Sequence, residues 1–295
     1  MQTVKTDFLK GCAALTLTIR SWGNTRQGDM GKVQTDASKD QLRLSKKLIV
    51  SKEYDDVVTC LNDMRAWVLG RTMPFPGFKK GIYLAKLETV TEVEKELPNR
   101  LAELARKVAR FQEAYPAQVE DSRIKLNGQF RQSDYPDVDK LAERFGVEWN
   151  WLAFTVPENL PAEIREAEAK KLEAKFADAG EEILIALREG FQKLVSHAVE
   201  RLTVAPGEKE KIFRDTLIGN IQEFIETFSA RNLMNDADLE ALVSKAKGVL
   251  VGVTPDKLRD SATIRENTRT AFETVKSELD KMIVDRPSRK FAFDE

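Results

Sequence analysis

Apolar and polar positions first alternate along Ala14–Trp22, ALTLTIRSW. Leu15, Leu17 and Ile19 take one side, and Thr16, Thr18 and Arg20 the other. A period of two with β-branched residues predicts a strand. Gly23, Gly28 and Gly31 then predict a loop, and SKDQLRLSKKLIV a short basic helix with Ser38 as N-cap. In KEYDDVVTCLNDMRAWVLGRTM the period lengthens: Tyr54, Val57, Val58, Leu61, Met64 and Val68 recur at three and four, an amphipathic helix. PFPGFKKG, 74–81, cannot continue it, and IYLAKL reads as a second short strand. Leu97, Leu101, Leu104, Val108, Phe111 and Tyr115 form a heptad seam. Pro98 either kinks that helix or marks the first turn of a new one.

Residues 116–160 are mixed. PDVDKLAERFG predicts a short helix ending at Gly146, and VEWNWLAFTVP a third strand stopped by Pro157. From Pro161 only helices are expected. Leu172, Phe176, Ala179, Ile183, Leu187, Phe191, Leu194, Ala198 and Leu202 make one long stripe, broken by APGEKEK. Ile212, Leu217, Ile221, Phe224, Ile225 and Phe228 make the next. Asp236 or Asp238 caps a further helix to about Val251. Thr254 and Pro255 start the last one, whose apolar row is Phe272, Val275, Leu279 and Ile283. The expected fold is mainly α with a small α+β N-terminal part, its long amphipathic helices forming a bundle or coiled coil. The expected division is an α+β domain at 1–158, a helical domain at 161–285 and a flexible tail at 286–295.

Composition narrows the function classes. The 295 residues are 32% charged, with Lys+Arg 47 against Asp+Glu 48, so there is no global nucleic-acid signature. The distribution is uneven. Between Arg20 and Lys52 stand Arg20, Arg26, Lys32, Lys39, Arg43, Lys46, Lys47 and Lys52, against Asp29, Asp36 and Asp40. Such a stretch can steer an anionic partner, or be only a solvated face. The two cysteines, Cys12 and Cys60, lack CxxC spacing and read as small buried residues in a reducing, cytoplasmic compartment. Neither a signal peptide nor a membrane span is expected.

Few motifs carry chemistry. Gly23-x4-Gly28 has the glycine spacing of a Walker A loop, but Asp29 stands where its lysine must be and Met30 where its hydroxyl must be. A turn leaving a strand is expected instead. His197 is the only histidine, which excludes multi-histidine metal sites, and it reads as structural. The carboxylate runs lack metal-cage spacing and read as solvated faces. Trp149, Trp151 and Phe154 could stack bases but read as core, because no Lys or Arg interleaves with them. Phe291 and Phe293 in RKFAFDE could form a docking peptide or simply a frayed end.

Four stretches carry a resemblance: LTIRSWGNTRQGD, KKLIVSKEYDDVVTCLNDMRAWV, PGFKKGIYLAKLETVTEVEKEL and FQEAYPAQVE. In that order they resemble a bacterial and phage domain family of unknown function. Its genes lie near MoxR- or cobaltochelatase-like AAA ATPases and von Willebrand factor A proteins. The likeness covers about residues 12–160, and Gly28 and Gly31 fall outside its pattern. It implies a phage or mobile-element origin and an AAA ATPase partner, and no catalytic residue.

The expectation is therefore a non-enzymatic interaction or scaffold protein without cofactor or metal, which self-associates or binds a protein partner through its long helices. The alternative is nucleic-acid binding through segment 20–52, by Arg20, Arg26, Lys32, Arg43, Lys46 and Lys47. A protein-docking role falls to Phe291 and Phe293.

Overall fold

The computed structural model describes residues 11–204 and 215–283. The protein is mainly α, with small antiparallel strand pairs confined to its N-terminal part. β1 (Cys12–Arg20) leads to a two-stranded antiparallel ribbon, β2 (Thr25–Gln27) with β3 (Ser45–Lys47). α1 (Lys52–Leu69) follows, then β4 (Met73–Pro74), β5 (Ile82–Lys86) and α2 (Leu87–Leu126). β6 (Gly146–Leu152) completes a four-stranded sheet in the order β4-β5-β1-β6. The remaining helices are α3 (Ala162–Leu202), α4 (Thr216–Arg231), α5 (Ala237–Val249), α6 (Pro255–Asp260) and α7 (Ala262–Ile283).

The chain forms two compact units that are discontinuous in sequence. One comprises residues 16–69 and 91–150; the other takes residues up to 15, residues 70–90 and residues from 151 onward. The expected division, at 158–161, is linear. The expected tail at 286–295 lies outside the described residues.

In the unit built from 16–69 and 91–150, α1 buries Val57, Cys60, Leu61, Met64 and Val68. The heptad seam of α2 buries Leu97, Leu104, Val108, Phe111 and Tyr115. Trp22, at the end of β1, is the anchor of an aromatic cluster. Its ring lies 5.9 Å from Tyr54 and 6.0 Å from Tyr115, both edge-on, and stacks at 6.5 Å on Phe111. The Tyr54 hydroxyl donates to the Trp22 carbonyl at 3.0 Å.

In the other unit, β4 and β5 form an antiparallel hairpin with Met73 opposite Leu84. Gly77 and Gly81 take φ of 76° and 91° in its turn, a region that side chains disfavour. Half of α3 packs in a bundle with α4, α5 and α7. Its core holds Ile183, Leu187, Phe191, Val195, Ala198 and Leu202, with Phe224, Leu239, Phe272 and Val275 from the neighbours. Phe191 stacks on Phe224 at 4.9 Å. Asp236 caps α5 by accepting from the Leu239 amide, and Thr254 caps α6, with Pro255 in its first turn.

Five expectations are corrected. Segment 38–50 is not a helix: a 3-10 turn at Lys39–Gln41 is followed by strand β3. Lys46 and Leu48 are both buried there while Lys47 is exposed, a period of two hidden by the charge on an inward residue. α2 does not restart at Pro98; it is one helix that runs through Pro98 and Pro116. Both prolines lie on its exposed face, where water reaches the freed carbonyls. Segment 136–146 forms two 3-10 turns, Val138–Lys140 and Ala142–Arg144, rather than a helix. Gln112 and Tyr115 donate to its Val138 and Pro136 carbonyls at 2.8 and 3.1 Å. The last helix starts at Ala262, because Arg265 donates to the carbonyls of Leu258 and Arg259 and closes α6 early. Val195, not Leu194, is the fully buried position of the α3 stripe. The break expected at APGEKEK and the apolar position Ile212 lie outside the described residues.

Candidate functional site

The glycine loop and the basic residues meet on the ribbon, where Arg26 stands opposite Lys46. The backbone of the loop is already engaged. Gly28 N–H donates to the Leu44 carbonyl at 2.9 Å. Asp29 N–H donates to Gln129 Oε1 at 2.8 Å, and Gly31 N–H to Asp29 Oδ1 at 2.9 Å. A phosphate cradle needs such amides free and convergent. This loop spends them on a turn and on residues 127–134, which follow α2. Gly28 is there for close approach: a Cβ would lie 2.5 Å from Leu44 Cδ2.

The ribbon's cations divide into two groups. Lys46 is buried, with Nζ 2.5 Å from the Gln129 carbonyl and 2.7 Å from Asp134 Oδ2. Lys32 Nζ donates to the Gly128 carbonyl. Arg26 donates to the carbonyls of Gly23 and Thr25 at 2.8 and 2.9 Å. Arg20, at the end of β1, pairs with Glu148 at 2.5 Å on the surface. Arg43 and Lys47 are exposed. The structure therefore ties Lys32 and Lys46 to the segment after α2, and leaves Arg43 and Lys47 turned to solvent. Phe291 and Phe293 lie outside the described residues.

The other candidate residues take structural places. Trp149 is half-buried and donates to Glu94 Oε1 at 2.7 Å. Trp151 is half-buried too. Phe154 joins Phe75, Phe78 and Phe176 in one cluster, with centroids 4.1 to 6.3 Å apart. Cys60 is buried and Cys12 half-buried; burial pushes the Cys12 thiol up to about 11. His197 sits on the exposed side of α3. Among the described residues no cluster of His, Cys, Asp and Glu could hold a metal ion, and no helix is long and apolar enough to cross a membrane.

The start of α3 is a helix with little burial. α3 begins at Ala162, but its first buried residue is Ala179. From 162 to 167 every residue is exposed; only Glu168, Leu172, Phe176 and Ala177 are half-buried before that point. Ile164 is 49% exposed. The signal was present: the apolar stripe starts at Leu172, ten residues after the helix does, and the intervening positions are mostly Glu, Lys and Ala.

Comparisons with protein-family models, with curated proteins and with solved structures return no match for this chain.

Proposed function

We propose that the protein is a non-enzymatic interaction protein, and that the first part of α3 is its docking element. One observation carries this reading: residues 162–178 hold a helix with little of the burial that normally sustains one. Its exposed side bears Ile164, Ala167 and Ala174 among charges, a surface that a second helix can approach closely. The resemblance at about residues 12–160 makes an AAA ATPase with a von Willebrand factor A protein the first partner to try, and a phage or mobile element the setting.

The test is a photo-crosslinking residue placed at Ile164 in the producing cell, with exposed Glu240 on α5 as control. Adducts at 164 and none at 240 support the reading. No adduct at 164, or equal adducts at both, refutes it.

A second reading rests on the ribbon. Arg43 and Lys47 remain exposed beside it and could contact nucleic-acid phosphates. Two such contacts give a salt slope of only about −2.

A further inference from the structure

The charge order on the exposed part of α3 points to what covers it. We infer that residues 162–178 pair antiparallel with the same segment of a second copy of this chain. The inference rests on the docking reading above and names its occupant.

The segment divides into halves of opposite sign. Glu163, Glu166 and Glu168 outweigh Arg165 in the first half; Lys170, Lys171 and Lys175 outweigh Glu173 and Asp178 in the second. A parallel copy would set like against like. An antiparallel copy crossing at Ala169 sets Glu163 beside Lys170 of the second copy on one flank of the seam, and Glu168 beside its Lys175 on the other. Both pairs are of opposite sign, and two-fold symmetry makes each occur twice. No shift of register is needed to obtain them.

The rest of the surface fits the same arrangement. Glu168, Leu172 and Phe176 are half-buried, on the side turned toward the chain itself. The opposite side carries Ile164, Ala167, Lys171 and Ala174, spaced by three, four and three. In the antiparallel register Ile164 meets Ala174, and Ala167 meets the aliphatic stem of Lys171. Alanine at 167 and 174 lets two helices lie close. Within one copy Lys171 already pairs with Glu168 at 2.7 Å, which holds its stem along the helix.

The segment is roughly 24 Å long. Two such helices bury less than the ~1,200 Å² of a standard stable interface. The dimer is accordingly weak, with much of its specificity in exposed charge pairs that salt screens. Its dissociation constant is on the order of micromolar at low salt.

The experiment is sedimentation velocity on the purified full chain, from about 1 to 100 µM, at low and high salt. The expected result is a monomer–dimer equilibrium, weakened about tenfold by salt. Glu163→Lys with Glu168→Lys, and separately Lys170→Glu with Lys175→Glu, should each weaken the homodimer by at least about tenfold. Mixing the two variants restores every opposite-sign pair, so the mixture should form a heterodimer as tight as the parent dimer. Circular dichroism of each variant confirms that the helices persist, since Lys175 also lies 5.9 Å over the Phe78 ring. A strict monomer, a dimer insensitive to both substitutions, or a mixture that stays monomeric each overturns the pairing. Such a failure with selective adducts to other proteins at Ile164 leaves the docking reading standing. Absence of those adducts removes both.

Discussion

Lys46 is the residue on which the two readings of the basic segment disagree most. As a cation presented to an anionic partner it should be dispensable for folding. As the structure places it, its side chain is 5% exposed, with Asp134 at 2.7 Å and the Gln129 carbonyl at 2.5 Å. Replacing it by Met keeps most of the volume and removes the charge. Removing one partner of a buried pair costs about 3–5 kcal/mol, because the other charge is left without compensation. Here Asp134 is 18% exposed, and its Oδ2 has the ammonium close by but no aligned hydrogen bond. Water can recover part of its solvation, which brings the expected loss down to about 2–3 kcal/mol. Lys47→Met, at the exposed neighbour, should stay within about 0.5 kcal/mol. Urea unfolding followed by tryptophan fluorescence suits the question, since Trp22, Trp67 and Trp149 all belong to the same unit as Lys46. The double variant with Asp134→Leu should recover at least half the loss, because neither charge is then stranded. Equal midpoints for Lys46→Met and Lys47→Met would refute the buried-pair account.

The bundle and the thiols give further tests. Phe191→Ala removes a fully buried ring stacked on Phe224 and should cost about 3–5 kcal/mol, read by chemical unfolding under far-ultraviolet circular dichroism. Asp236 both caps α5 and holds the Arg188 guanidinium at 2.6 and 3.0 Å, so Asp236→Ala should lose about 2–4 kcal/mol in a thermal melt. Asp236→Asn should lose less, since it keeps a capping oxygen. Cys12 should react with a disulfide reagent at pH 8 far more slowly in the folded chain than in urea, because burial raises its thiol to about 11. The same shift makes Cys12 favour folding below its ordinary value of 9.0, and that contribution is lost as pH rises from there toward about 11. Cys12→Ala should flatten this alkaline limb. On the ribbon, Arg43→Gln with Lys47→Gln should reduce the salt slope of any nucleic-acid binding by about two in fluorescence anisotropy.

Period and punctuation made most of the fold legible. The run of α1, the seam of α2 and the row of α7 each repeat apolar residues at three and four. Capping at Asp236 and Thr254 is chemistry that a sequence displays directly. What stayed hidden had physical causes. Lys46 points inward, so its charge disguised β3 as a helix face; its partners, Gln129 and Asp134, are 83 and 88 positions away. Pro98 and Pro116 look like stops, but whether a proline breaks a helix depends on which face it occupies. The discontinuous units could not be read, because residues 12–15 and 70–90 join the later bundle through contacts that no local pattern encodes. The exposed start of α3 carries no apolar stripe, so hydrophobic periodicity does not mark it.

That segment also explains how a docking surface can exist without costing the fold. An isolated helix of about seventeen residues is marginal in water, because nucleation is unfavourable. Here nucleation is supplied by the buried half of α3, and the exposed half only propagates it. Its composition suits propagation: Ala, Glu, Lys and Leu are good helix formers, and Glu163 sits in the first turn where the dipole favours an anion. A partner docking there would meet a helix already formed and lose little ordering entropy, so that even a small interface could bind. It follows that charge reversal at Glu163, Glu168, Lys170 or Lys175 should change association while leaving helicity and the unfolding midpoint of the bundle almost unmoved. If those substitutions instead melt the segment, its helix depends on its own charge pairs and not on the packed half of α3.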